Sequence, residues 1–128
     1  MRLLLDTHSF LWFVGGSPQL SVDARTLIED TTNDMFLSVG SLWEMAIKIS
    51  LGKLHIAQPF DRFILQQLGL NSIELLDITV AHAAAVTSLP FHHRDPFDRL
   101  LIAQAQVEHM PIVGNDAAFD AYGITRLW

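Results

Sequence analysis

Residues 2–6 read Arg-Leu-Leu-Leu-Asp, and this short stretch decides the class of fold. Three consecutive leucines between polar residues are typical of a strand that is buried on both faces. Such strands occur in parallel sheets that carry helices on both sides. The stretch therefore predicts an α/β fold in which residues 2–6 form a fully buried strand.

The rest of the sequence alternates between short strand-like segments and longer helical ones. The strands are expected at 2–6, 35–39, 73–78, 112–113 and 124–127. Helical segments are expected at 7–14, 22–29, 42–51, 59–68, 80–88, 96–108 and 116–121. Strands that alternate with helices predict three α/β/α layers around a central parallel sheet of about five strands. No linker or repeat divides the chain, so we expect one domain over residues 1–128.

The composition excludes several classes of protein. The chain has 128 residues, of which 50% are hydrophobic and 17% charged, and its formal net charge is −6. The lack of cysteine excludes a disulfide framework and thiolate metal sites. The negative charge argues against a broadly basic surface for nucleic acid. No apolar run approaches the roughly 18 residues of a membrane span, and no signal peptide is recognisable, so a cytoplasmic protein is expected.

Four isolated carboxylates occupy unusual positions. Asp6 ends the leucine run, Glu44 lies within the apolar stretch 42–49, Asp98 precedes the apolar stretch 100–107, and Asp116 follows the strand 112–113. A carboxylate at the edge of a buried element loses hydration unless a cation compensates. Ligands of parallel α/β sheets bind at the carboxyl ends of the strands, where all four acids are expected to meet. The sequence thus predicts an oxygen-ligand site for Mg²⁺ or Mn²⁺.

Such a site suits metal-assisted hydrolysis of a phosphodiester, because bound metal activates water and stabilises the leaving oxygen. Each acid also has a simpler interpretation. Asp6 is a possible helix cap, Glu44 a partner of Lys48, Asp98 a first-turn acid and Asp116 a turn residue.

Neighbouring polar residues are assigned in the same way. Asp95 precedes Pro96 and is expected to cap a helix rather than bind metal. The pair His92 and His93 lacks a supporting metal-ligand pattern and is expected in a loop that contacts RNA or solvent. Three basic residues are candidates for holding RNA phosphates, with surface ion pairing as the alternative: Lys48, Arg94 and Arg99.

Several segments together resemble the PIN-domain family, and in particular the VapC-type toxins of type II toxin–antitoxin modules. The matching segments are residues 5–12, 38–48, 52–54, 89–90, 93 and 95–105, with Asn115, Asp116, Phe119 and Tyr122. Any one of them alone is a weak signal, but their combination spans almost the whole chain. The resemblance implies a PIN-like fold in a single PIN domain.

The resemblance also implies a function, a cofactor and partners. It implies an endoribonuclease that depends on Mg²⁺ or Mn²⁺, inhibits translation by cutting tRNA or rRNA and is blocked by a cognate VapB-type antitoxin. Separately, a small domain that is half apolar favours an exposed apolar patch, so a homodimer is expected. Asp6, Glu44 and Asp98 match the family's three core acids, and Asp116 matches the fourth. Many relatives have Ser or Thr where this chain has Gly114, a departure that Thr7 and Ser41 are candidates to offset.

Two alternatives to a nuclease remain at this stage. The first is a catalytically idle PIN-type module that binds RNA or protein, whose acids hold metal only structurally. The second is a receiver-like phosphotransfer domain, which also places acids and Mg²⁺ at strand ends. The second alternative lacks the paired early acids and the strand-end lysine that such domains carry, and is therefore the weakest.

Overall fold

The computed structural model describes residues 1–128 and contains a sheet of five strands. The strands are β1 (Arg2–Leu5), β2 (Asp34–Ser38), β3 (Ile73–Leu76), β4 (Ile112–Val113) and β5 (Arg126–Leu127). Their order across the sheet is β3-β2-β1-β4-β5, and every neighbouring pair is parallel. The predicted α/β fold with about five parallel strands is confirmed.

Six α-helices and one 3-10 helix surround the sheet. The helices are α1 (Thr7–Val14), α2 (Val22–Glu29), α3 (Val39–Ser50), α4 (Phe60–Leu70), α5 (Val80–Val86) and α6 (Pro96–Glu108), and the 3-10 helix covers Ala117–Tyr122. None of these helices combines the length and the apolar character that a membrane crossing requires.

Strand β1 supplies side chains to two separate cores, one on each face of the sheet. Leu3 and Leu5 pack with residues of α1 to α4, whereas Leu4 packs with residues of α5, α6 and the 3-10 helix. All three leucines are fully buried. Successive side chains of a strand point to opposite faces, so the leucine run fills both cores at once. This arrangement produces the predicted three α/β/α layers.

The prediction was wrong at the junction of β2 and α3. The strand was expected to reach residue 39 and the helix to begin near residue 42, but the strand ends at Ser38 and α3 begins at Val39. The Ser38 hydroxyl accepts a hydrogen bond from the Gly40 N–H at 3.0 Å and thereby caps the helix. The early start moves Glu44 into the second turn of α3.

Other predicted ends were also wrong. Helix α4 was expected to stop before Gly69 but continues to Leu70, since the left-handed conformation that follows it falls at Ser72, with a φ of 52°. Strand β3 ends at Leu76 rather than residue 78, because its partner strand ends at Ser38, the residue paired with Leu76. Strand β5 is limited to two residues because β4 has only two to pair with.

Candidate active site

The candidate site lies where the chain changes direction across the sheet. From β1 the chain crosses to β2 on one side, whereas β4 pairs with the other side of β1. Ligands of open parallel α/β sheets bind beyond the carboxyl ends of the strands at such a switch point. Asp6 follows β1 directly, and Asp116 follows β4 with two residues between them.

Asp6 is held rigidly, yet its carboxylate caps no helix. Its N–H donates to the Val113 carbonyl at 3.0 Å, and its carbonyl accepts the Phe10 N–H as α1 begins. The residue is 4% exposed, and its side chain makes no capping hydrogen bond to α1. Burial raises the pKa of Asp6 to about 6; His8 and the Thr7 N–H lower it, and Glu44 and Asp116 raise it. The carboxylate is therefore available to a ligand.

Glu44 is buried on α3 and held by two neighbouring polar side chains, one of which contacts a third. The Thr7 hydroxyl donates to Glu44 Oε1 at 2.9 Å, and Lys48 Nζ lies 2.8 Å from Oε2. The Thr7 and Ser41 hydroxyl oxygens are 2.8 Å apart. A hydroxyl has only one proton, so Thr7 donates to Glu44 while accepting from Ser41. The Glu44–Lys48 pair expected at the surface is thus part of a buried network.

Asp98 lies in the first turn of α6, and a different acid caps that helix. Asp95 Oδ1 accepts the N–H groups of Phe97 and Asp98 at 2.9 and 3.0 Å, as predicted for a cap. The pKa of the Asp98 carboxyl group is raised to about 7, first by burial and then by the negative charges of Asp95, Asp6, Glu44 and Asp116. Asp98 therefore shares an electrostatic environment with the other acids.

Asp116 is exposed and is partly occupied by a structural contact. Its Oδ1 accepts the Ala118 N–H at 3.0 Å and thereby caps the 3-10 helix. Its charge nevertheless raises the pKa of both Asp6 and Asp98. Asp116 therefore both caps a local turn and lines the cleft, so the two interpretations offered by the sequence are compatible.

The four predicted acids line one cleft of about 440 Å³. The cleft is lined by Asp6, His8, Trp12, Glu44, Lys48, Asp95, Asp98, Asn115, Asp116, Ala117 and Phe119. Five of these residues are acidic, against one lysine. The convergence expected from topology is therefore present, and it produces a strongly negative cleft.

The donor chemistry of the cleft fits a hard divalent cation. No three acidic or histidine side chains are already arranged as a finished ligand set. However, the oxygen donors are those that Mg²⁺ and Mn²⁺ prefer. Burial, with a smaller contribution from the neighbouring negative charges, already raises the pKa of Asp6 and Asp98. Asp6, Asp98, Asp116 and Glu44 are the residues that would hold the ion.

The three basic candidates for RNA contact differ in their availability. Lys48 lines the cleft beside Glu44, and Arg94 is exposed on the loop before α6. Arg99 is 6% exposed, donates to the carbonyls of Pro90 and Leu89 at 2.9 and 3.2 Å, and lies 4.1 Å from the Phe91 ring centroid. A buried guanidinium occupied in this way supports the loop and is not available to an RNA phosphate.

Gly114 lets β4 approach Asp6 closely. A Cβ at this position would lie 3.1 Å from Asp6 Cβ, which is a tight contact, and 3.6 Å from Oδ2, which is an ordinary van der Waals contact. Thr7 and Ser41 were suggested as substitutes for the missing Ser or Thr. The Thr7 hydroxyl donates to Glu44, and the Ser41 hydroxyl contacts Thr7, so the acid that they orient is Glu44. The glycine therefore favours close packing around Asp6.

Sequence reasoning missed His8, Trp12 and Asn115 as residues of the cleft. His8 Nδ1 lies 3.9 Å from Asp6 Oδ2, and the rings of His8 and Trp12 are 5.6 Å apart. Trp12 is partly buried against the core on one face of the sheet, whereas Phe10 is fully buried. His8 and Trp12 lie in the first and second turns of α1, just after Asp6, and Asn115 directly precedes Asp116. This closeness in sequence to two predicted acids was the signal that could have identified them.

A comparison with protein families identifies the fold. The model of the PIN domain matches residues 3–124. The chain belongs to the PIN domain family. Ribonuclease VapC16 of Mycobacterium tuberculosis (strain ATCC 25618 / H37Rv) is 32% identical over 71 residues, which are 52% of this chain and 50% of that protein. The match thus spans about half the length of this curated relative.

Solved structures share the PIN-like architecture. The crystal structure of VapBC2 from Rickettsia felis bound to a DNA fragment from their promoter contains a chain with a TM-score of 0.73 and 16% identity, over 99% of this PIN chain and 98% of that chain. The structure of VapBC-1 from nontypeable Haemophilus influenzae contains a chain with a TM-score of 0.67 and 12% identity, over 99% of this chain and 97% of that chain. At such identities the likeness shows the fold alone, and the predicted PIN-like fold is confirmed.

Proposed function

We propose that this PIN-domain protein is a VapC-type toxin, an endoribonuclease that depends on Mg²⁺ or Mn²⁺ and inhibits translation. The observation that carries the proposal is the meeting of Asp6, Glu44, Asp98 and Asp116 in one cleft at the switch point of the sheet. The chain has no cysteine nucleophile. The likeness to Ribonuclease VapC16 supports RNA as the substrate.

The chemistry follows from what each acid is free to do. Asp6 and Asp98 carry carboxylates that cap no helix, so both would be free to hold the cation. Glu44 is fixed by Thr7 and Lys48 and holds its orientation as the substrate enters. A bound divalent cation lowers the pKa of water and neutralises charge that develops on the phosphate. Lys48 and Arg94 remain the candidates for RNA phosphates.

We also propose the partners and setting of the toxin. The partner is a VapB-type antitoxin, a proposal supported by the structural likeness to the VapBC assemblies. The single PIN domain over residues 1–128 acts in the cytoplasm as a homodimer. Exposed Trp43 on α3, at 65%, is an apolar side chain that a second copy would cover. tRNA and rRNA are the candidate substrates.

Induced expression in a bacterial host tests the toxin proposal. We expect expression of the parent chain to stop incorporation of labelled methionine within minutes, because cleaved tRNA or rRNA cannot support translation. Co-expression of a cognate VapB-type antitoxin should restore incorporation. The Asp6→Asn chain, produced to the same level, should leave incorporation unchanged. Equal arrest by the parent and by Asp6→Asn would exclude the acid-dependent mechanism and leave a binding module as the explanation.

A further inference from the structure

The loop before α6 brings a histidine next to Asp98. His93 is anchored by Tyr122 from the end of the 3-10 helix, 29 residues away in sequence. The Tyr122 oxygen lies 3.2 Å from the backbone nitrogens of His92 and His93 and 2.8 Å from His93 Nδ1. This hydroxyl is thus surrounded by three possible partners, and they determine the state of the imidazole.

Counting protons assigns the tautomer of His93 from this network. The two backbone N–H groups are donors, so they occupy the two lone pairs of the Tyr122 oxygen. The hydroxyl proton is then directed at His93 Nδ1, which must accept it. A neutral imidazole with Nδ1 as the acceptor carries its own proton on Nε2. His93 therefore presents an N–H from Nε2.

That Nε2 group faces Asp98 and has no other partner. Nε2 lies 3.6 Å from Asp98 Oδ2, slightly beyond hydrogen-bond distance. The Nε2 atom is buried without any hydrogen-bond partner, and the His93 and Asp98 side chains are only 18% and 25% exposed. Leaving a buried donor unpaired costs free energy, which a bond to Asp98 recovers.

We propose that Tyr122 and His93 form a positioning pair that acts through Asp98, with the Nε2–H of His93 fixing the orientation of the Asp98 carboxylate in the cleft. This inference rests on the proposed function, since it assigns how the loop supports one of the acids. Because Nδ1 accepts a hydrogen bond from Tyr122 and Nε2 carries a proton, neither ring nitrogen has a free lone pair for a metal ion. His93 is therefore a support for a ligand and does not itself bind the cation.

A substitution series separates this role from simple packing. His93→Leu fills the space of the imidazole with an apolar side chain and removes the Nε2–H donor. His93→Gln instead places an amide N–H near the position of Nε2. Loss of a hydrogen bond that orients a metal ligand typically costs about 10- to 100-fold in metal affinity or activity. We expect His93→Leu to weaken Mn²⁺ binding, measured by titration calorimetry on the full chain, within that range. We expect it to lower kcat for RNA cleavage with little change in KM.

Two further variants complete the series. His93→Gln should restore most of the Mn²⁺ affinity. His55→Gln, a change to an exposed histidine that does not line the cleft, should bind Mn²⁺ like the parent. Thermal unfolding of each variant verifies that it is folded. If His93→Leu is folded and matches the parent in Mn²⁺ affinity and kcat, the positioning role is excluded while the proposed nuclease stands.

Nitrogen-15 NMR of the metal-free protein tests the tautomer independently of catalysis. In the parent, the His93 ring should show a protonated Nε2 and an unprotonated Nδ1. In Tyr122→Phe, which lacks the donor to Nδ1, the ring should show a mixture of tautomers. A parent ring protonated mainly on Nδ1 would overturn the inference. A parent that binds Mn²⁺ and shows the expected tautomer but cleaves no RNA would instead overturn the proposed nuclease and leave the positioning role intact.

Discussion

The Asp98→Asn variant should lose RNA cleavage by at least about 100-fold and yet be more stable than the parent when no metal is present. Burial and four neighbouring acids raise the pKa of Asp98 to about 7, so its carboxylate is electrostatically unfavourable in the metal-free protein. Asparagine has the same shape without the charge. At pH 8 the free energy of unfolding of Asp98→Asn should exceed that of the parent by an amount on the order of 1–2 kcal/mol, after allowance for solvent screening.

The expected loss of activity follows from the metal. Contacts of a catalytic metal supply several kcal/mol of transition-state stabilisation, and 1.36 kcal/mol corresponds to a factor of ten. Urea unfolding and an RNA cleavage assay, both on the same purified sample, measure the two effects.

A matched control distinguishes this effect from the loss of any first-turn acid. Asp61 occupies the first turn of α4 and is exposed, as Asp98 occupies the first turn of α6. Asp61→Asn should change neither cleavage nor stability beyond a few tenths of a kcal/mol, the usual range for an exposed charge near a helix terminus. An Asp98→Asn variant that is less stable than the parent would show that the acid has a structural role.

The metal-free protein should become more stable as the pH falls from 8 to 5. The pKa values of Asp6 and Asp98 are raised in the folded protein, to about 6 and about 7, from an unfolded value of 3.8. Over this range the folded chain binds more protons than the unfolded chain, so the free energy of unfolding decreases as the pH rises through 6 and 7. The total change should be on the order of 2 kcal/mol, since solvent screening reduces the full effect.

Unfolding by urea at several pH values, with and without Mn²⁺, measures this dependence. The pKa values of Asp30 and Asp120 are lowered from 3.8, so both groups stay ionised between pH 5 and 8 and do not contribute to this dependence. Mn²⁺ should stabilise the protein most at pH 8, where the acids are ionised, and chelation should reverse the gain. The Asp6→Asn/Asp98→Asn double variant should show a flatter pH profile. A profile as steep as that of the parent would assign the dependence to other groups.

The sequence was sufficient for the layers of the fold because those depend on local patterns. The leucine run of β1 indicates a strand buried on both faces, and alternation with helices implies parallel pairing. Element ends were less predictable. Ser38 begins α3 early through its own side chain, and β3 stops where its partner strand stops. The first effect requires a specific capping geometry, and the second requires the register between strands.

The acids of the site could be predicted because topology alone brings strand ends together. The groups that support them could not, since these contacts join distant parts of the chain. Thr7 reaches Glu44 across 37 positions, and Tyr122 holds His93 from 29 positions away. Arg99 illustrates the opposite error. Its position one residue after Asp98 favoured a phosphate contact, but on a helix that neighbour points in another direction, into the loop of residues 89–91.

Analysis of the ends of cleaved RNA tests most directly whether the acids of this PIN domain catalyse hydrolysis. The purified chain should cleave RNA when Mn²⁺ is present and stop when the metal is chelated. Attack by water leaves no 2′,3′-cyclic phosphate, whereas attack by the neighbouring 2′-hydroxyl produces one. We therefore predict Mn²⁺-dependent products without cyclic phosphate, and none from Asp6→Asn. Metal-independent cleavage that leaves cyclic phosphate ends, at the same rate in Asp6→Asn, would contradict the assignment.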